Sequence, residues 1–428
     1  MTRSTTLLLI LDACRRDYLT PENAPFLSGL LSQGVSASIE SPPGFTQRTT
    51  MFTGTYPDTS GNFQAFGYNP DNSPFRWLKN LGPLNALYQP RKVMFPARLA
   101  VKKVSRWVSG QYHTDPAWIP ATYLPHFEVV EDGKPIFEPS ALPHTSIFDL
   151  CRDAGKPFKY LAHPISGNDD EIFRMIMDTY ERGENQELVF AQFSNLDENG
   201  HHHGPLVPEG ARPARNQKPA DVELMKREIR EVDRKCEAIF EAMRKNYDEF
   251  AFLAVGDHGM APVHEKVNIL AEMKKLPLKA GKDYVVFVNS TIAEFWFQNE
   301  RARTLITDAL TNATYGWVLS EKEREEMRIR FDHRRYGDLM FAANVGVLFW
   351  PDYFHVVEHD IKGMHGYIDK REETTGVLVS GGTKIKGPLE LGNRNLVDVF
   401  PTLCELVGVP VPGTNEGRSF LPAMPHVA

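Results

Sequence analysis

The sequence predicts an α/β protein with a doubly wound, mostly parallel sheet flanked by helices, whose core is interrupted by two insertions. Short, continuously apolar runs such as residues 250–255 are typical of strands that are buried on both faces of a parallel sheet. Segments with helical patterning alternate with these runs, and the longest is the charged segment at residues 222–245. Alternation of this kind is the pattern of repeated strand–helix–strand units.

The individual elements follow from apolar runs, helix start signals and glycine or proline stops. Residues 5–11 are apolar and follow Arg3, but the run is too short to span a membrane and no small-residue cleavage pattern follows it. We therefore expect a first core strand there. The predicted core strands are residues 7–11, 35–39, 158–162, 188–193 and 250–255, and the predicted core helices are residues 21–31, 46–53, 146–154, 170–182, 222–245 and 394–407.

Two segments break the alternation. Residues 64–143 are rich in proline and scattered aromatics, which predicts an irregular insertion that covers the sheet edge as a lid, with a surface excursion that has no catalytic part as the alternative. Residues 262–359 carry strand and helix signals of their own, which predicts a small α+β cap insertion. The core is then expected in three parts, residues 1–63, 144–261 and 360–428.

Composition limits the classes of partner. The net charge of −7 disfavours binding to a nucleic-acid duplex, because phosphate contacts require a basic surface. The four cysteines are widely separated, so they predict reduced thiols and a cytoplasmic location. Since no apolar run is long enough to cross a bilayer, no membrane partner is expected.

Carboxylate and imidazole side chains lie at the ends of several predicted strands. Ligands of open α/β sheets collect beyond the carboxyl ends of the strands, so these side chains are expected at one edge. This set of oxygen and nitrogen ligands, without thiolate, suits zinc or a similar divalent metal, and six ligands divide naturally over two ions. Two of the six, four residues apart, are expected to face one ion from a tight loop. The six are Asp12, Asp197, His201, Asp257, His258 and His365.

The order of these motifs resembles the alkaline phosphatase superfamily, and most closely its type I phosphodiesterase/nucleotide pyrophosphatase branch. The motifs are the first-strand aspartate, TGTYP at residues 53–57, NLDENGHHHG, GDHG and the late MHGY. The tail NLVDVFPTLCELVGVPVPG is also similar to the closing helix and loop of the family. The resemblance covers residues 7–61, 144–259 and 363–421.

The resemblance implies two divalent metal ions, with zinc expected and manganese as the alternative. One ion would be bound by Asp197, His201 and His365. The other would be bound by Asp12, Asp257 and His258, together with the oxygen of a threonine that also acts as the nucleophile.

The position of that threonine departs from the family pattern. Aligned without gaps on TGTYP, the nucleophile of the family falls on Gly44. Thr46, two residues later, is the predicted nucleophile and metal ligand, with Thr49 and Ser41 as alternatives. Asn62 is the predicted substrate-binding residue, as a donor to a phosphoryl oxygen.

The expected function is a metal-dependent phosphodiesterase or pyrophosphatase that hydrolyses a small-molecule phosphate ester through a covalent phospho-threonine. One alternative is a phosphomonoesterase or another phosphoryl or sulfuryl hydrolase with the same fold. A formylglycine sulfatase is disfavoured, because Arg48 is present without the Cys/Ser-x-Pro-x-Arg pattern. A second alternative is a metal-binding homologue that is catalytically idle.

Overall fold

The fold is seen in a computed structural model that describes residues 2–79, 95–112, 114–130, 134–162, 167–355 and 360–421. The strands in these residues are β1 (Ser4–Leu11), β2 (Val35–Glu40), β3 (Phe66–Tyr68), β4 (Phe127–Val129), β5 (Phe158–Leu161), β6 (Leu188–Phe193), β7 (Glu249–Val255), β8 (Ala261–Pro262), β9 (Glu265–Val267), β10 (Tyr284–Val288), β11 (Ile292–Phe297), β12 (Gly316–Val318), β13 (Leu339–Ala343), β14 (Val347–Phe349), β15 (Gly363–Met364), β16 (Gly376–Gly381) and β17 (Leu389–Asn395).

The helices are α1 (Pro25–Gln33), α2 (Gln47–Thr53), α3 (Pro57–Ser60), α4 (Phe95–Ser109), α5 (Ile147–Asp153), α6 (Asp169–Glu181), α7 (Asn195–His203), α8 (Pro219–Asn246), α9 (Ile269–Lys274), α10 (Glu300–Thr311), α11 (Glu321–Glu326) and α12 (Val399–Val407). Among these described helices, none combines the length and the apolarity that a bilayer crossing requires.

The central sheet has seven strands in the order β17-β2-β16-β7-β1-β6-β5. The pairs β1–β6, β1–β7, β5–β6 and β2–β17 are parallel, whereas β16 runs antiparallel to both of its neighbours. The predicted mostly parallel sheet is therefore confirmed. The direction of β16 matters for the site, because it brings the segment before β16 to the edge where the parallel strands end.

Side chains of the sheet pack into two apolar cores, one on each face. Along β1, Leu8 and Ile10 enter one core, and Leu7, Leu9 and Leu11 enter the other. This alternation follows from the two-residue period of a strand. Helices α2, α5 and α12 cover the first face, and α1, α6 and α8 cover the second, as expected for a doubly wound fold.

The two predicted insertions form structure beyond the main sheet. Residues 64–143 contain the hairpin of β3 and β4 and helix α4, and residues 262–359 contain the four-stranded sheet β10-β11-β13-β12. Phe66 and Phe127 of the first insertion share a core with Phe287 and Trp296 of the second. Lid and cap thus pack on each other, while the exact domain boundaries stay predictions.

Three elements differ from the sequence prediction. The closing helix, predicted at residues 394–407, begins only at Val399, because residues 394 and 395 belong to strand β17. The segment at Asp197 and His201, expected as a tight loop, is the helix α7, which ends at Gly204 with a positive φ of 80°. Strand β17 was missed, because its sequence LELGNRN is polar and mostly exposed at the sheet edge and carries an irregularity in register.

Candidate active site

Helix α7 carries the first two predicted ligands on one face. Asp197 and His201 are four residues apart, so they lie one above the other on the helix, with 3.4 Å between Asp197 Oδ2 and His201 Nε2. His201 Nδ1 donates to the carbonyl oxygen of Gly363 at 2.9 Å. Because Nδ1 carries this proton in the neutral ring, Nε2 presents a lone pair toward Asp197, as a metal-binding histidine requires.

His365 joins this pair from the chain that follows β15. The short antiparallel pairing of β15 with β8 holds the segment beside the end of β7. His365 Nε2 lies 3.5 Å from Asp197 Oδ1, and its ring centroid is 5.1 Å from that of His201. Ligand atoms of Asp197, His201 and His365 all lie within 4.8 Å of one another, which is the grouping predicted for the first ion.

The second group lies where β1 and β7 end. His258 Nε2 is 3.2 Å from Asp12 Oδ1 and 4.0 Å from Asp257 Oδ1. Ligand atoms of Asp12, His258 and Asp197 lie within 4.8 Å of one another, so Asp197 belongs to both groups. The second ion was predicted to be bound by Asp12, Asp257 and His258. In the structure, the set of mutually close ligand atoms contains Asp197 instead of Asp257, and Asp257 lies next to His258 of that set.

Two buried carboxylate oxygens support a metal at each group. Oδ1 of Asp197 and Oδ1 of Asp257 are buried and accept no hydrogen bond from the described residues. A buried anionic oxygen without a donor costs free energy unless a cation lies next to it. The ligand set is carboxylate and imidazole without thiolate, so the residues fit two divalent metal ions.

The pKa values of the aspartate and histidine side chains in the cluster depend on their burial and on the charges of their neighbours. Burial raises the pKa of Asp257 to about 7, and the neighbouring Asp12 adds to this shift. Burial opposes the charge on His258, but Asp257 and Asp12 outweigh it and raise the pKa of His258 to about 10. Burial and the adjacent His258 hold the pKa of His365 well below 6.5, so its ring is neutral, which is the form that a metal ligand requires.

A cavity of about 500 Å³ opens above both groups. Arg48 Nη2 donates to Gln192 Oε1 at 2.6 Å, and Gln192 Nε2 donates to Asp12 Oδ2 at 2.6 Å. Phe45 and Phe354 stack with ring centroids 5.6 Å apart and form an apolar wall. The described residues that line the cavity are Asp12, Phe45, Gln47, Arg48, Gln192, Asp197, His201, Asp257, His258, Phe354, His355, Met364 and His365.

The predicted nucleophile and substrate-binding residue lie outside this lining. Thr46 is buried, and its hydroxyl donates to the carbonyl oxygen of Asn62 at 3.0 Å. The amide Nδ2 of Asn62 donates to Thr49 Oγ1 at 3.2 Å. Ser41 donates its hydroxyl to the carbonyl oxygen of Asp257. The roles assigned to Thr46 and Asn62 stay predictions, and the cavity lining does not include either side chain.

Seven of the described lining residues had no role in the sequence prediction, and Gln192, Arg48 and His355 are three of them. Gln192 is the one polar residue in the buried strand LVFAQF, and this position was a signal that could have identified it. Arg48 was noted only as a remnant of a sulfatase signature. His355 comes from the cap, and its Nδ1 lies 3.1 Å from Asp352 Oδ2, three residues earlier in the chain.

Comparison with known proteins agrees with this geometry. A model of the type I phosphodiesterase/nucleotide pyrophosphatase family matches residues 6–368. Human ectonucleotide pyrophosphatase/phosphodiesterase family member 7 is 22% identical over 429 residues, which covers 96% of this chain and 81% of the relative. The rat protein of the same name is 21% identical over 442 residues and covers 96% and 85%.

A solved structure of human ectonucleotide pyrophosphatase/phosphodiesterase 5 shares the fold, with a TM-score of 0.66, 15% identity and coverage of 97% of this chain and 98% of the other. An inactive threonine-to-alanine variant of the murine protein, in complex with AMP, superposes with a TM-score of 0.66, 16% identity and 98% coverage of both chains. On the family match, the chain belongs to the type I phosphodiesterase/nucleotide pyrophosphatase family and is an enzyme that hydrolyses phosphoric ester bonds.

Proposed function

We propose that the chain is a two-metal phosphodiesterase or pyrophosphatase that acts on a small-molecule phosphate ester. The observation that carries the proposal is Asp197, which belongs to both ligand groups at the floor of one cavity. Asp197 would help to hold both ions, and the chemistry that such ions supply when bound is polarisation of the phosphoryl oxygens and stabilisation of the charge on the entering and leaving oxygens. Zinc fits the ligands best, and manganese is the alternative.

The residues of the chain have separate tasks in this proposal. Asp12, Asp257 and His258 would hold one ion, and Asp197, His201 and His365 the other. Hydrogen bonds from neighbouring residues would fix the orientation of the ligands. Gln192 donates to Asp12, and the Gly363 carbonyl oxygen accepts from His201. Such groups keep the ligand atoms directed at the metals throughout the reaction.

Substrate binding would use both walls of the cavity. Arg48 is a lining residue whose guanidinium already carries one hydrogen bond to Gln192, and it can contribute positive charge toward phosphoryl oxygens. The stacked rings of Phe45 and Phe354 offer an apolar surface to the ester group. A murine structural neighbour is described in complex with AMP, which supports a nucleotide ester as the substrate class.

The covalent route predicted from Thr46 has a structural requirement. Its hydroxyl would have to leave the carbonyl oxygen of Asn62 and turn into the cavity. The inactive threonine-to-alanine variant of the murine neighbour indicates that a threonine is needed in that protein. In the present chain a phospho-threonine intermediate is one of two routes, and the alternative uses water directly.

The experiment is hydrolysis of bis-p-nitrophenyl phosphate and p-nitrophenyl phosphate, with and without a chelator. Preference for the diester that disappears with chelator is the expected result. Preference for the monoester would instead favour a phosphomonoesterase, and bound metal without turnover of either ester would favour the idle homologue.

The cytoplasmic location stays a prediction, for which the four free and buried cysteines are the support.

A further inference from the structure

Helix α4 and the residues just after it carry most of the exposed large apolar side chains of the molecule. Of these side chains among the described residues, all but Val411 lie in residues 95–112. Trp107 is 84% exposed and Leu99 41%. Single exposed apolar residues are common on protein surfaces, whereas an exposed cluster marks an interaction surface. The lid therefore has a surface that a partner can cover.

An apolar row runs along α4. Its second, third and fourth members follow the first by four, seven and eight residues, so all of them lie on one side of the helix. Val101 and Ser105 are buried on another side, which faces the lid. The members of the apolar row, all of them exposed, are Ala100, Val104, Trp107 and Val108.

A second row, which contains two basic residues, runs beside the apolar row. Leu99, Lys103 and Arg106 follow each other at intervals of four and three residues, and each is exposed. Residues 95–112 contain four lysine and arginine residues and no aspartate or glutamate, although the whole chain has a net charge of −7. Helix α4 is thus basic in a protein whose overall charge is negative.

Two of the four basic residues are paired within the lid. Arg98 and Lys102 contact Asp115 at 2.5 and 3.2 Å. Within the part of the chain that the structure describes, Lys103 and Arg106 are exposed and form no ion pair. The charges of these two residues are therefore available to an anionic partner.

The buried side of α4 holds the helix on the lid. Val101 packs into the apolar core that the lid shares with the cap. The indole Nε1 of Trp77 donates to Ser105 Oγ at 2.9 Å, and Thr114 Oγ1 donates to the carbonyl oxygen of Lys102 at 2.7 Å. Because these contacts order the helix before a partner arrives, binding avoids the entropic cost of ordering it.

We propose that α4 binds to the surface of an anionic lipid bilayer. A helix with an apolar side and a basic side lies in the plane of a bilayer interface, with its cations at the headgroups. Trp107 and Val108 would enter the interface, where tryptophan is favoured. Lys103 and Arg106 would contact anionic headgroups. This proposal departs from the expectation that the chain has no membrane partner.

Charge favours a bilayer over a second copy of the chain. A symmetric contact between two copies through α4 would place the same surface on both sides of the interface. The two basic rows would then lie close together, and like charges across an interface disfavour association. An anionic surface matches the charge of the helix instead.

The test is cosedimentation of the full chain with vesicles of phosphatidylcholine alone or mixed with phosphatidylserine. We expect binding to the mixed vesicles that weakens as salt is added, because salt screens exposed charges. The variants Val104→Ser/Trp107→Ser and Lys103→Glu/Arg106→Glu are each expected to lower the partition constant by about tenfold or more.

Val411→Ser removes the exposed large apolar residue that lies outside residues 95–112 and is the matched control. Its binding to vesicles is expected to equal that of the wild-type chain. Hydrolysis of bis-p-nitrophenyl phosphate by each variant checks its fold, since none of the substituted residues belongs to the described lining of the cavity.

Absence of binding to the mixed vesicles by the wild-type chain would overturn the bilayer proposal. So would full binding by both double variants, because another surface would then make the contact. A wild-type dimer that Val104→Ser/Trp107→Ser converts to a monomer would show that the apolar row contacts a second copy. Equal binding to both kinds of vesicle, without salt dependence, would overturn the role of the basic residues.

A second inference, independent of α4, concerns Asp221 near the start of helix α8. Asp221 is buried, and its carboxylate accepts from His203 Nδ1 at 2.7 Å, from the backbone N–H of Lys218 at 2.8 Å and from Lys362 Nζ at 3.0 Å. Burial opposes its charge, but these donors outweigh burial and lower the pKa of Asp221 to about 2. Asp221 is therefore an anion.

The two side-chain donors to Asp221 belong to the two segments that carry the first group of candidate metal ligands. His203 lies two residues after His201 on α7, and Lys362 lies three residues before His365. The backbone N–H of Lys362 donates to the carbonyl oxygen of His201 at 2.8 Å. The Asp221 carboxylate thus connects two segments that also contact each other at a ligand.

We infer that Asp221 is a positioning residue for the metal ion of that group, on the basis of the proposed two-metal site. Lys362 is buried, and its other carboxylate neighbour, Asp360, is exposed and lies farther away at 3.7 Å. Without the charge of Asp221, the buried ammonium group of Lys362 would lose its main partner, and such a loss is strongly destabilising. The segment before His365 would then no longer be held against α7.

The test is the zinc affinity of the metal-free enzyme, measured by competition with a chromophoric chelator. Asp221→Asn is expected to weaken the binding of one of the two ions by about tenfold or more, as loss of a group that orients ligands does. Asp233→Asn is the matched control, because Asp233 is also a buried aspartate of α8 and accepts from the backbone N–H groups of Phe26 and Leu27. Its zinc affinities are expected to equal those of the wild-type enzyme.

Equal zinc affinities in the wild-type enzyme and Asp221→Asn would overturn the role of Asp221. An equal loss of affinity in both variants would do the same, because the loss would then follow from general destabilisation of α8. Fewer than two zinc ions in the wild-type enzyme would overturn the proposed two-metal site, whereas a loss confined to Asp221→Asn would still support the role of Asp221.

Discussion

At the scale of single residues, His201 and His202 allow a predicted metal ligand to be compared with a neighbouring histidine on the same helix that has no predicted role as a ligand. They are adjacent on α7, but only His201 faces Asp197, whereas His202 is exposed to solvent. His201→Ala is expected to lower the bound metal by about one ion per chain, because a direct ligand is lost from a closed group. Metal analysis of the purified variants measures this.

His202→Ala is the matched control and is expected to keep the full metal content. Equal metal content in wild type, His201→Ala and His202→Ala would contradict the assignment of His201.

The protonation of Asp257 and His258 predicts a pH dependence of metal binding. Their pKa values in the chain without metal are raised to about 7 and about 10, so both carry protons at mildly acidic pH. A metal must displace these protons, so its affinity is expected to rise as the pH increases from 6 toward 9, with proton release on binding. Calorimetric titration in buffers of different ionisation enthalpy measures the release.

In Asp257→Asn the proton released from the carboxyl group should disappear, so the number of protons released at pH 6 falls. Binding heats that do not depend on the buffer would contradict this prediction.

The residue types of the metal site could be predicted from the sequence, but the direction of a hydroxyl could not. Aspartate and histidine at strand ends converge because the sheet edge brings them together, as with Asp12 and His258. Whether Thr46 faces the cavity depends on one turn, on Gly44 and on a contact with Phe63, which is remote in sequence. Such a contact has no local sequence signal.

At the scale of elements, apolar strands were predicted well because burial on both faces leaves a strong signal. Strand β6 was predicted with its observed bounds, Leu188–Phe193. The polar strand β17 was missed because an edge strand buries little, and α7 was predicted as a loop because Gly200 suggested a turn. In the structure Gly200 sits inside the helix, where an added Cβ would lie 3.0 Å from Met260.

Strand β11 of the cap contains an ionisable residue that predicts a stability change. Glu294 is fully buried, neither carboxylate oxygen accepts a hydrogen bond from the part of the chain that the structure describes, and burial raises its pKa well above 4.5. The folded chain therefore binds a proton that the unfolded chain loses near pH 4.5, so stability falls as the pH rises from 4.5 to the raised pKa. Glu294→Gln is expected to remove this decline and to gain about 1–3 kcal/mol at neutral pH.

Urea unfolding at several pH values measures this gain. Glu325→Gln, an exposed substitution in the same cap, is the control and is expected to change stability by less than about 0.5 kcal/mol. A Glu294→Gln variant that is less stable than wild type at neutral pH would show that the carboxylate has a favourable charged partner.

At the scale of the whole molecule, the site joins separate parts of the chain. Asp12 follows β1, Asp257 follows β7, Asp197 lies on α7 and His365 precedes β16, so metal ions would link segments that are distant in sequence. Removal of metal is expected to lower the melting temperature, because each ion stabilises the folded state by about 3 kcal/mol when its free concentration is a hundredfold above Kd. Calorimetry with and without chelator measures the shift.

Restoration of the melting temperature by added zinc is the control for nonspecific effects of the chelator. A melting temperature that is the same in both conditions would contradict a structural contribution of the metals.

The fold class and the family motifs could be predicted over most of the core. From β1 to β16, apolar strands alternate with helices, and the candidate ligands lie near the ends of these strands. The contents of the lid and cap could not, since their packing depends on contacts between distant aromatic residues such as Phe66 and Phe287. His355 reaches the cavity only through that packing.

The measurement that tests the central claim most directly is a zinc titration of the metal-free enzyme, followed by hydrolysis of bis-p-nitrophenyl phosphate. The two groups that share Asp197 predict an activity that reaches its plateau at about two ions per chain. A plateau at one ion, or full activity of the metal-free enzyme, would contradict the two-metal site.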